Sequence, residues 1–167
     1  QIPPHVSFIG EKEMSVYEGN FKNNDVKIVI VASKFNEIVT HHLVDGALAT
    51  LKQFGVNEKN IDVYWVSGAF EIGFTAKKIM LSDKYDGIMT LGAVIRGETD
   101  HYSMIIQNVT SAIMQINLET KIPVTFGILT TDDIEQALQR AGLKAGNEGS
   151  STAQTLLEMI SLNKMMN

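Results

Sequence analysis

Apolar runs alternate with helical stripes along this chain from about residue 26 onward. Four short runs are rich in apolar and β-branched residues: Val26–Ser33, Ile61–Val66, Gly87–Ile95 and Val124–Leu129. The first of these, Val26–Ser33, is apolar at nearly every position, which is typical of a strand buried on both faces of a parallel sheet. The pattern therefore predicts four strands that belong to one parallel sheet.

Each apolar run is followed by residues whose helical spacing places them on one face of a helix. Asn36 is the predicted N-cap of the first helix, and Gly55 is its predicted end. Asp132 with Glu135 resembles a capping box at the start of the fourth helix. The predicted apolar faces, in chain order, are Val44, Ala47, Leu48 and Leu51; Ile72, Ala76, Ile79 and Met80; Ile105, Val109, Ala112, Ile113 and Ile116; Ile134, Ala137, Leu138 and Ala141; and Ala153, Leu156, Leu157 and Ile160.

This alternation predicts a fold of the α/β class, a three-layer α/β/α sandwich around a flavodoxin-like four-stranded parallel sheet. Ligands of such sheets bind at the carboxyl ends of the strands. The loops expected to carry the chemistry are therefore Ser33–Asn36, Ser67–Glu71, Ile95–His101 and Thr130–Asp133.

Residues 1–13 are set apart from the repeating pattern. They lack the basic start and the long apolar stretch of a secretory signal peptide, and Met14 is a natural first residue. We expect residues 1–13 to be a processed leader or a tail added for expression. Residues 14–167 are then a single domain, and the protein is expected to be intracellular and cytoplasmic.

Composition narrows the function classes. The 167 residues include 14 Lys and Arg against 19 Asp and Glu, a formal net charge of −5. An acidic balance argues against nucleic acid or an anionic membrane as the main partner, because both attract clustered positive charge. The sequence contains no cysteine, which excludes disulfides, thiolate metal sites and a cysteine nucleophile. No apolar run approaches the ~20 residues that span a bilayer.

The common nucleotide and hydrolase motifs are missing. No G-x-G-x-x-G follows the first strand, and no G-x-S-x-G is present. Gly92 and Gly97 have the spacing of a P-loop and Thr99 fits its last position, but Glu98 stands where the motif requires Lys, so the match fails.

The segment Arg96–His101 is a candidate anion site, because free backbone N–H groups and a positive helix end favour a phosphate there. His101 could exchange protons near neutral pH. The alternative is ordinary capping by Thr99 or Asp100, with His101 exposed in the first helical turn.

The other candidate residues each have an equally ordinary explanation. Glu71 could hold hydroxyl groups or only favour a helix start. Phe35 could stack on a flat ring or only pack in the core or at an interface, and packing is the default interpretation of Phe126. Arg140 and Lys144 could complement the negative end of the fourth helix.

Together these residues resemble the 6,7-dimethyl-8-ribityllumazine synthase family, from about Met14 to the C-terminus. The resemblance is carried by Ser33–Asn36 (SKFN), Trp65–Ile72 (WVSGAFEI), Leu91–Tyr102 (LGAVIRGETDHY), Thr125–Thr131 (TFGILTT), Ile134–Gly142 (IEQALQRAG) and Lys144–Asn147 (KAGN). It implies a transferase of riboflavin biosynthesis that condenses 5-amino-6-(D-ribitylamino)uracil with 3,4-dihydroxy-2-butanone 4-phosphate, without a metal or an organic cofactor.

The resemblance also implies a role for each site residue. His101 is the proton donor and acceptor, and Phe35 stacks on the pyrimidine. Substrate is further bound by Ala69, Phe70 and Glu71 on the ribityl side; Ala93, Val94 and Ile95 around the ring; Glu98, Thr99 and Arg140 at the phosphate; Phe126 from a neighbouring subunit; and Lys144 nearby.

The implied partners are the two small-molecule substrates and further copies of the chain. The family forms pentamers, and Lys144–Gly149 resembles the short connection of members that build icosahedral shells. The competing hypothesis is a shell protein of the same fold that holds lumazine or flavin without turnover. It does not require His101 or Arg140, and both are present. A related enzyme that acts on lumazine itself is a third hypothesis.

Overall fold

A computed structural model describes residues 5–9, 12–22, 25–97, 101–144 and 146–167 of the chain. The strands are β1 (His5–Ile9), β2 (Lys12–Val16), β3 (Ile28–Ser33), β4 (Ile61–Val66), β5 (Gly87–Ile95) and β6 (Val124–Thr131). The α-helices are α1 (Glu37–Gln53), α2 (Ile72–Leu81), α3 (His101–Glu119), α4 (Ile134–Arg140) and α5 (Glu148–Met166), with short 3₁₀ helices at Glu58–Asn60 and Ala69–Glu71.

Strands β3 to β6 form one parallel sheet in the spatial order β4-β3-β5-β6. β3, which comes first in the chain, is therefore an interior strand. β4 pairs on one side of it, and β5 and then β6 follow on the other side. This is the flavodoxin-like order that the alternating pattern predicts, and it requires a helical crossover after each strand.

The two faces of the sheet bury separate apolar layers. On one face, Ile28, Ile30 and Ala32 of β3 pack against α1, α4 and α5, and on the other Val29 and Val31 pack against α2 and α3. All six residues of β3 are buried. Burial on both faces explains why this strand is apolar at nearly every position, and it confirms the three-layer α/β/α sandwich.

The element boundaries agree with the sequence pattern except near the caps. β4 and β5 have the predicted bounds, whereas β3 begins at Ile28 and β6 continues to Thr131. The N-cap of α4 is Asp133, whose side chain accepts from the Gln136 N–H, so the assignment of this cap to Asp132 was wrong. Either acid can cap a helix, and the backbone turns only after the second of them.

Asn36 precedes α1 as predicted, but its side chain does not cap the helix. Its backbone is left-handed, with φ 61° and ψ 40°, and no hydrogen bond joins its side chain to the first helical turn. The Asn36 amide instead donates to the Ala93 carbonyl at 3.0 Å. This bond ties the start of α1 to the end of β5.

Residues near the N-terminus form an element that the sequence pattern did not predict. β1 and β2 pair as a two-stranded antiparallel ribbon, in which His5 is opposite Val16 and Ile9 is opposite Lys12. The ribbon is a sheet of its own, separate from the parallel sheet. That residues 1–13 are a leader or a tail stays a prediction.

Candidate active site

A pocket of about 320 Å³ opens at the carboxyl end of the parallel sheet. It lies where the chain leaves β3, β4 and β5, which is the edge that the fold predicts for a ligand. Its lining consists of Phe35, Gly68, Ala69, Phe70, Ala93, Val94, Ile95, Gly97, His101, Tyr102 and Ile105. One pocket thus collects predicted residues from four different segments of the chain.

Two backbone bonds hold Phe35 at the mouth of this pocket. The Lys34 N–H donates to the Val66 carbonyl at 2.7 Å, and the Phe35 N–H donates to the Ser67 carbonyl at 3.0 Å. The Phe35 side chain nevertheless remains 70% exposed. An aromatic ring on a fixed backbone with an open face is well suited to stack on a planar heterocycle.

The segment after β4 turns into the 3₁₀ helix Ala69–Glu71 and then into α2. Ala69 is buried, whereas Phe70 is 66% exposed and lines the pocket. Glu71 is exposed and is not part of the lining. The Glu71 carboxylate nevertheless lies next to the pocket. A Cβ atom placed on Gly68, which lines the pocket, would lie 3.3 Å from Glu71 Oε1.

The floor of the pocket is the end of β5. Ala93 is buried, and Val94 and Ile95 are half-buried where they face the pocket. Gly92, the first glycine of the P-loop-like spacing, lies inside this strand. A Cβ atom there would lie only 2.6 Å from Ser33 Oγ, which explains the glycine by packing and not by phosphate binding.

The remaining wall is the first turn of α3. His101 is the first residue of this helix and is exposed at the pocket, and Tyr102 and Ile105 line the same wall. Tyr102 and Ile105 were not among the predicted site residues. Ile105 had an available signal, since it lies four residues after His101 and residues at i and i+4 share a helix face. Tyr102 lies one residue after His101, so helical spacing gave no signal for it.

Three predicted residues lie away from this pocket in the described part of the chain. Phe126 is in β6, and it lines a different groove together with Thr125, Thr152 and Met159. Arg140, the last residue of α4, and Lys144, just beyond it, are both exposed on the surface. None of the three lines the pocket that contains His101.

Glu98 and Thr99, predicted at the phosphate, lie outside the described residues. The segment on either side of them is at the pocket, since Gly97 and His101 both line it.

Ionisable groups with shifted pKa values lie at the opposite, amino end of the sheet. Burial raises the pKa of the Tyr85 phenol well above its usual value, and a hydrogen bond to Asp62 adds to this effect. A hydrogen bond from Lys77 lowers the pKa of the Glu119 carboxyl. Both groups belong to the supporting structure.

Over the described ranges, no group of His, Asp and Glu side chains is arranged to hold a metal ion. No helix in the same ranges is long and apolar enough to cross a membrane.

Comparison with known proteins gives one consistent result. The sequence model of the 6,7-dimethyl-8-ribityllumazine synthase family matches residues 25–164. A 6,7-dimethyl-8-ribityllumazine synthase of Limosilactobacillus reuteri (strain DSM 20016) is 58% identical over 154 residues, which are 92% of this chain and 100% of the relative. The protein of the same name from Pediococcus pentosaceus is 54% identical over 149 residues, which are 89% of this chain and 96% of the relative.

Proposed function

The chain belongs to the 6,7-dimethyl-8-ribityllumazine synthase family, and from that premise we propose how its pocket performs the reaction. The enzyme is a transferase of riboflavin biosynthesis. It condenses 5-amino-6-(D-ribitylamino)uracil with 3,4-dihydroxy-2-butanone 4-phosphate to give 6,7-dimethyl-8-ribityllumazine, phosphate and water. The observation that carries the mechanism is the strand-end pocket, which brings Phe35, Ala93 and His101 together.

The pyrimidine substrate occupies the part of the pocket between Phe35 and the end of β5. Its flat ring stacks on Phe35, and backbone groups of Ala93, Val94 and Ile95 meet the ring edge. The ribityl chain runs toward Ala69, Phe70 and Glu71, where the exposed carboxylate accepts hydrogen bonds from sugar hydroxyls.

His101 transfers protons during the condensation. The 5-amino group attacks the ketone, and loss of water gives an imine. Phosphate then leaves, and the ribitylamino nitrogen closes the second ring with loss of another water. Each step moves a proton, and an exposed imidazole at the pocket wall can both give and take it. Holding two substrates in reactive geometry supplies much of the remaining acceleration.

Arg140 supplies the cation that binds the phosphate, with Lys144 close to it in sequence. A guanidinium forms bidentate bonds to phosphate, which suits both binding and the departure of the leaving group. We assign Glu98 and Thr99 to the same phosphate subsite. Because Arg140 and Phe126 do not line the His101 pocket of their own chain, we assign both to the pocket of a neighbouring subunit.

The exposed surface supports an assembly of several subunits. α3 buries Val109, Ile113 and Ile116 against the sheet, yet further apolar side chains lie exposed on it. A helix that is apolar on both sides normally packs on both sides. The exposed apolar residues of α2 and α3 are Phe74, Leu81, Met104, Met114 and Leu118, and a groove of about 430 Å³ lies between the two helices.

We assign this surface to a head-to-tail homopentamer, in which the same shared pocket recurs at every interface. An icosahedral shell of such pentamers is the further proposal, with the connection Lys144–Gly149 and the exposed Leu143 at the contact between pentamers. Light scattering and electron microscopy of the pure protein distinguish a monomer, a pentamer and a shell. A cytoplasmic location belongs to the same proposal and is tested by cell fractionation.

The direct test mixes the two substrates with the pure protein and follows the absorbance and fluorescence of the lumazine. Catalysed lumazine formation, above the rate without protein, is the expected result. Tight lumazine binding without turnover would instead support the non-catalytic shell protein.

A further inference from the structure

One cation at the rim of the pocket has no assigned role. Arg96 directly follows Ile95, which is the last residue of β5 and lines the pocket. Its backbone N–H donates to the Thr131 carbonyl at 2.8 Å, which continues the β5–β6 pairing by one further bond. The backbone of Arg96 is therefore fixed by the sheet.

The Arg96 side chain bridges two elements that carry proposed active-site residues. Its Nε atom lies 3.0 Å from Asp132 Oδ1, at the exit of β6. Its guanidinium carbon lies 4.6 Å from the centre of the Tyr102 ring, in the first turn of α3. Stacking of this kind favours arginine, whose planar group can bond an acid and cover a ring at once.

Asp132, the acidic partner of Arg96, is itself fixed by a backbone hydrogen bond. The Asp132 N–H donates to Gln136 Oε1 at 3.0 Å, and Gln136 donates its own N–H to Asp133, the N-cap of α4. The bridge thus joins the first turn of α3 to the start of α4. Tyr102 is the immediate neighbour of His101, so any rotation of that turn moves the imidazole.

We propose that Arg96 is a positioning residue, which fixes His101 by holding Tyr102 against the Asp132 end of β6. The inference rests on the proposed role of His101. Both partners of the ion pair are largely exposed, at 56% and 68% of their side-chain surface, so the pair adds little to overall stability. Its effect falls on the geometry of one helical turn, and misplacing a catalytic group slows the reaction without unfolding the protein.

The test is a double-mutant cycle with Arg96→Ala and His101→Ala in the assembled protein. Loss of the cation–ring contact and of an exposed ion pair predicts that Arg96→Ala lowers kcat by about five- to tenfold. The KM values of both substrates and the melting temperature stay at the wild-type level. In the His101→Ala background, Arg96→Ala causes no further loss, because the group that it positions is gone.

Two further comparisons separate positioning from charge. Arg96→Lys keeps the ion pair but loses the planar stack, and it recovers part of kcat. Tyr102→Phe keeps the ring and retains more activity than Tyr102→Ala. Lys59→Ala removes an exposed cation at the far end of the sheet and leaves kcat unchanged.

The outcomes also separate this inference from the proposed function. A kcat for Arg96→Ala equal to wild type, or an equal loss with and without His101, overturns the positioning role alone. A raised KM for the butanone phosphate at unchanged kcat overturns it as well, because the guanidinium would then bind phosphate directly. Full activity of His101→Ala instead removes His101 from the mechanism.

Discussion

The bond between Asn36 and the end of β5 gives the sharpest test of how the pocket is built. Asn36 is left-handed at φ 61°, and its amide donates to the Ala93 carbonyl at 3.0 Å. Removing the side chain by Asn36→Ala loses a partly buried hydrogen bond, which is worth about 1 kcal/mol. It also places an alanine in a left-handed conformation that costs roughly 1 kcal/mol or more. The expected destabilisation is therefore about 2 kcal/mol.

Asn36→Gly is the matched control, because glycine adopts the left-handed conformation without strain and has no side chain that could donate. It should lose about 1 kcal/mol, the value of the hydrogen bond alone. For a domain of this size, ~1 kcal/mol lowers the melting temperature by roughly 2–4 °C. Asn36→Ala should thus melt about 4–8 °C lower than wild type, and Asn36→Gly about half as much lower.

The assay is thermal unfolding followed by circular dichroism at one fixed protein concentration, since assembly makes the midpoint depend on concentration. Because Phe35 precedes Asn36 at the pocket mouth, the KM of the pyrimidine substrate should rise in the same order. Equal melting of both variants and wild type refutes the role of the bond. Equal losses in the Ala and Gly variants refute the contribution of the left-handed backbone.

Three further outcomes follow from the site and its supporting structure. His101→Ala should slow turnover toward the low end of the ~10²–10⁴-fold range of general acid–base groups, and unchanged rate profiles across pH would exclude His101. Arg140→Ala should raise the KM of the butanone phosphate by roughly ten- to hundredfold, as for a lost charge-assisted bond, and an effect confined to the pyrimidine would misplace the subsite. The lowered pKa of Glu119 stabilises the fold above the ordinary carboxyl pKa, and this contribution is lost as pH falls through the lowered value. Acid unfolding curves should therefore converge for wild type and Lys77→Met at low pH, and curves that diverge toward low pH would contradict this linkage.

The fold was predictable because parallel strands with few polar residues leave a strong signal. Gly87–Ile95 is mostly buried, and Ile61–Val66 is a half-exposed edge strand, yet the structure gives both strands the predicted bounds. The N-cap of α4 was harder to predict, because Asp132 and Asp133 have the same side chain. Only the backbone geometry makes Asp133 the cap. Asn36 is the clearest case: it was correctly placed before α1, but the bond that it makes joins residues 57 positions apart.

The pocket was also predictable only in part, because some of its contacts join residues that are far apart in the chain. Residues at strand ends meet at one edge of the sheet, so Phe35, Ala93 and His101 could be grouped from topology. The role proposed for Arg96 rests on its side-chain contacts with Tyr102 and Asp132, which no local pattern encodes. Arg140 could not be grouped by either route, since nothing within one chain brings it to the pocket.

We propose that each pocket is shared between two subunits, and mixing two impaired variants, assayed at butanone phosphate concentrations well below the raised KM, tests this most directly. His101→Ala subunits retain Arg140, and Arg140→Ala subunits retain His101. When the two are reassembled at random in equal amounts, about a quarter of the pockets should receive both residues, because each comes from a different neighbour. We predict that the mixture recovers about a quarter of wild-type activity. A mixture no more active than the two variants assayed separately, despite demonstrated subunit exchange, would contradict the claim.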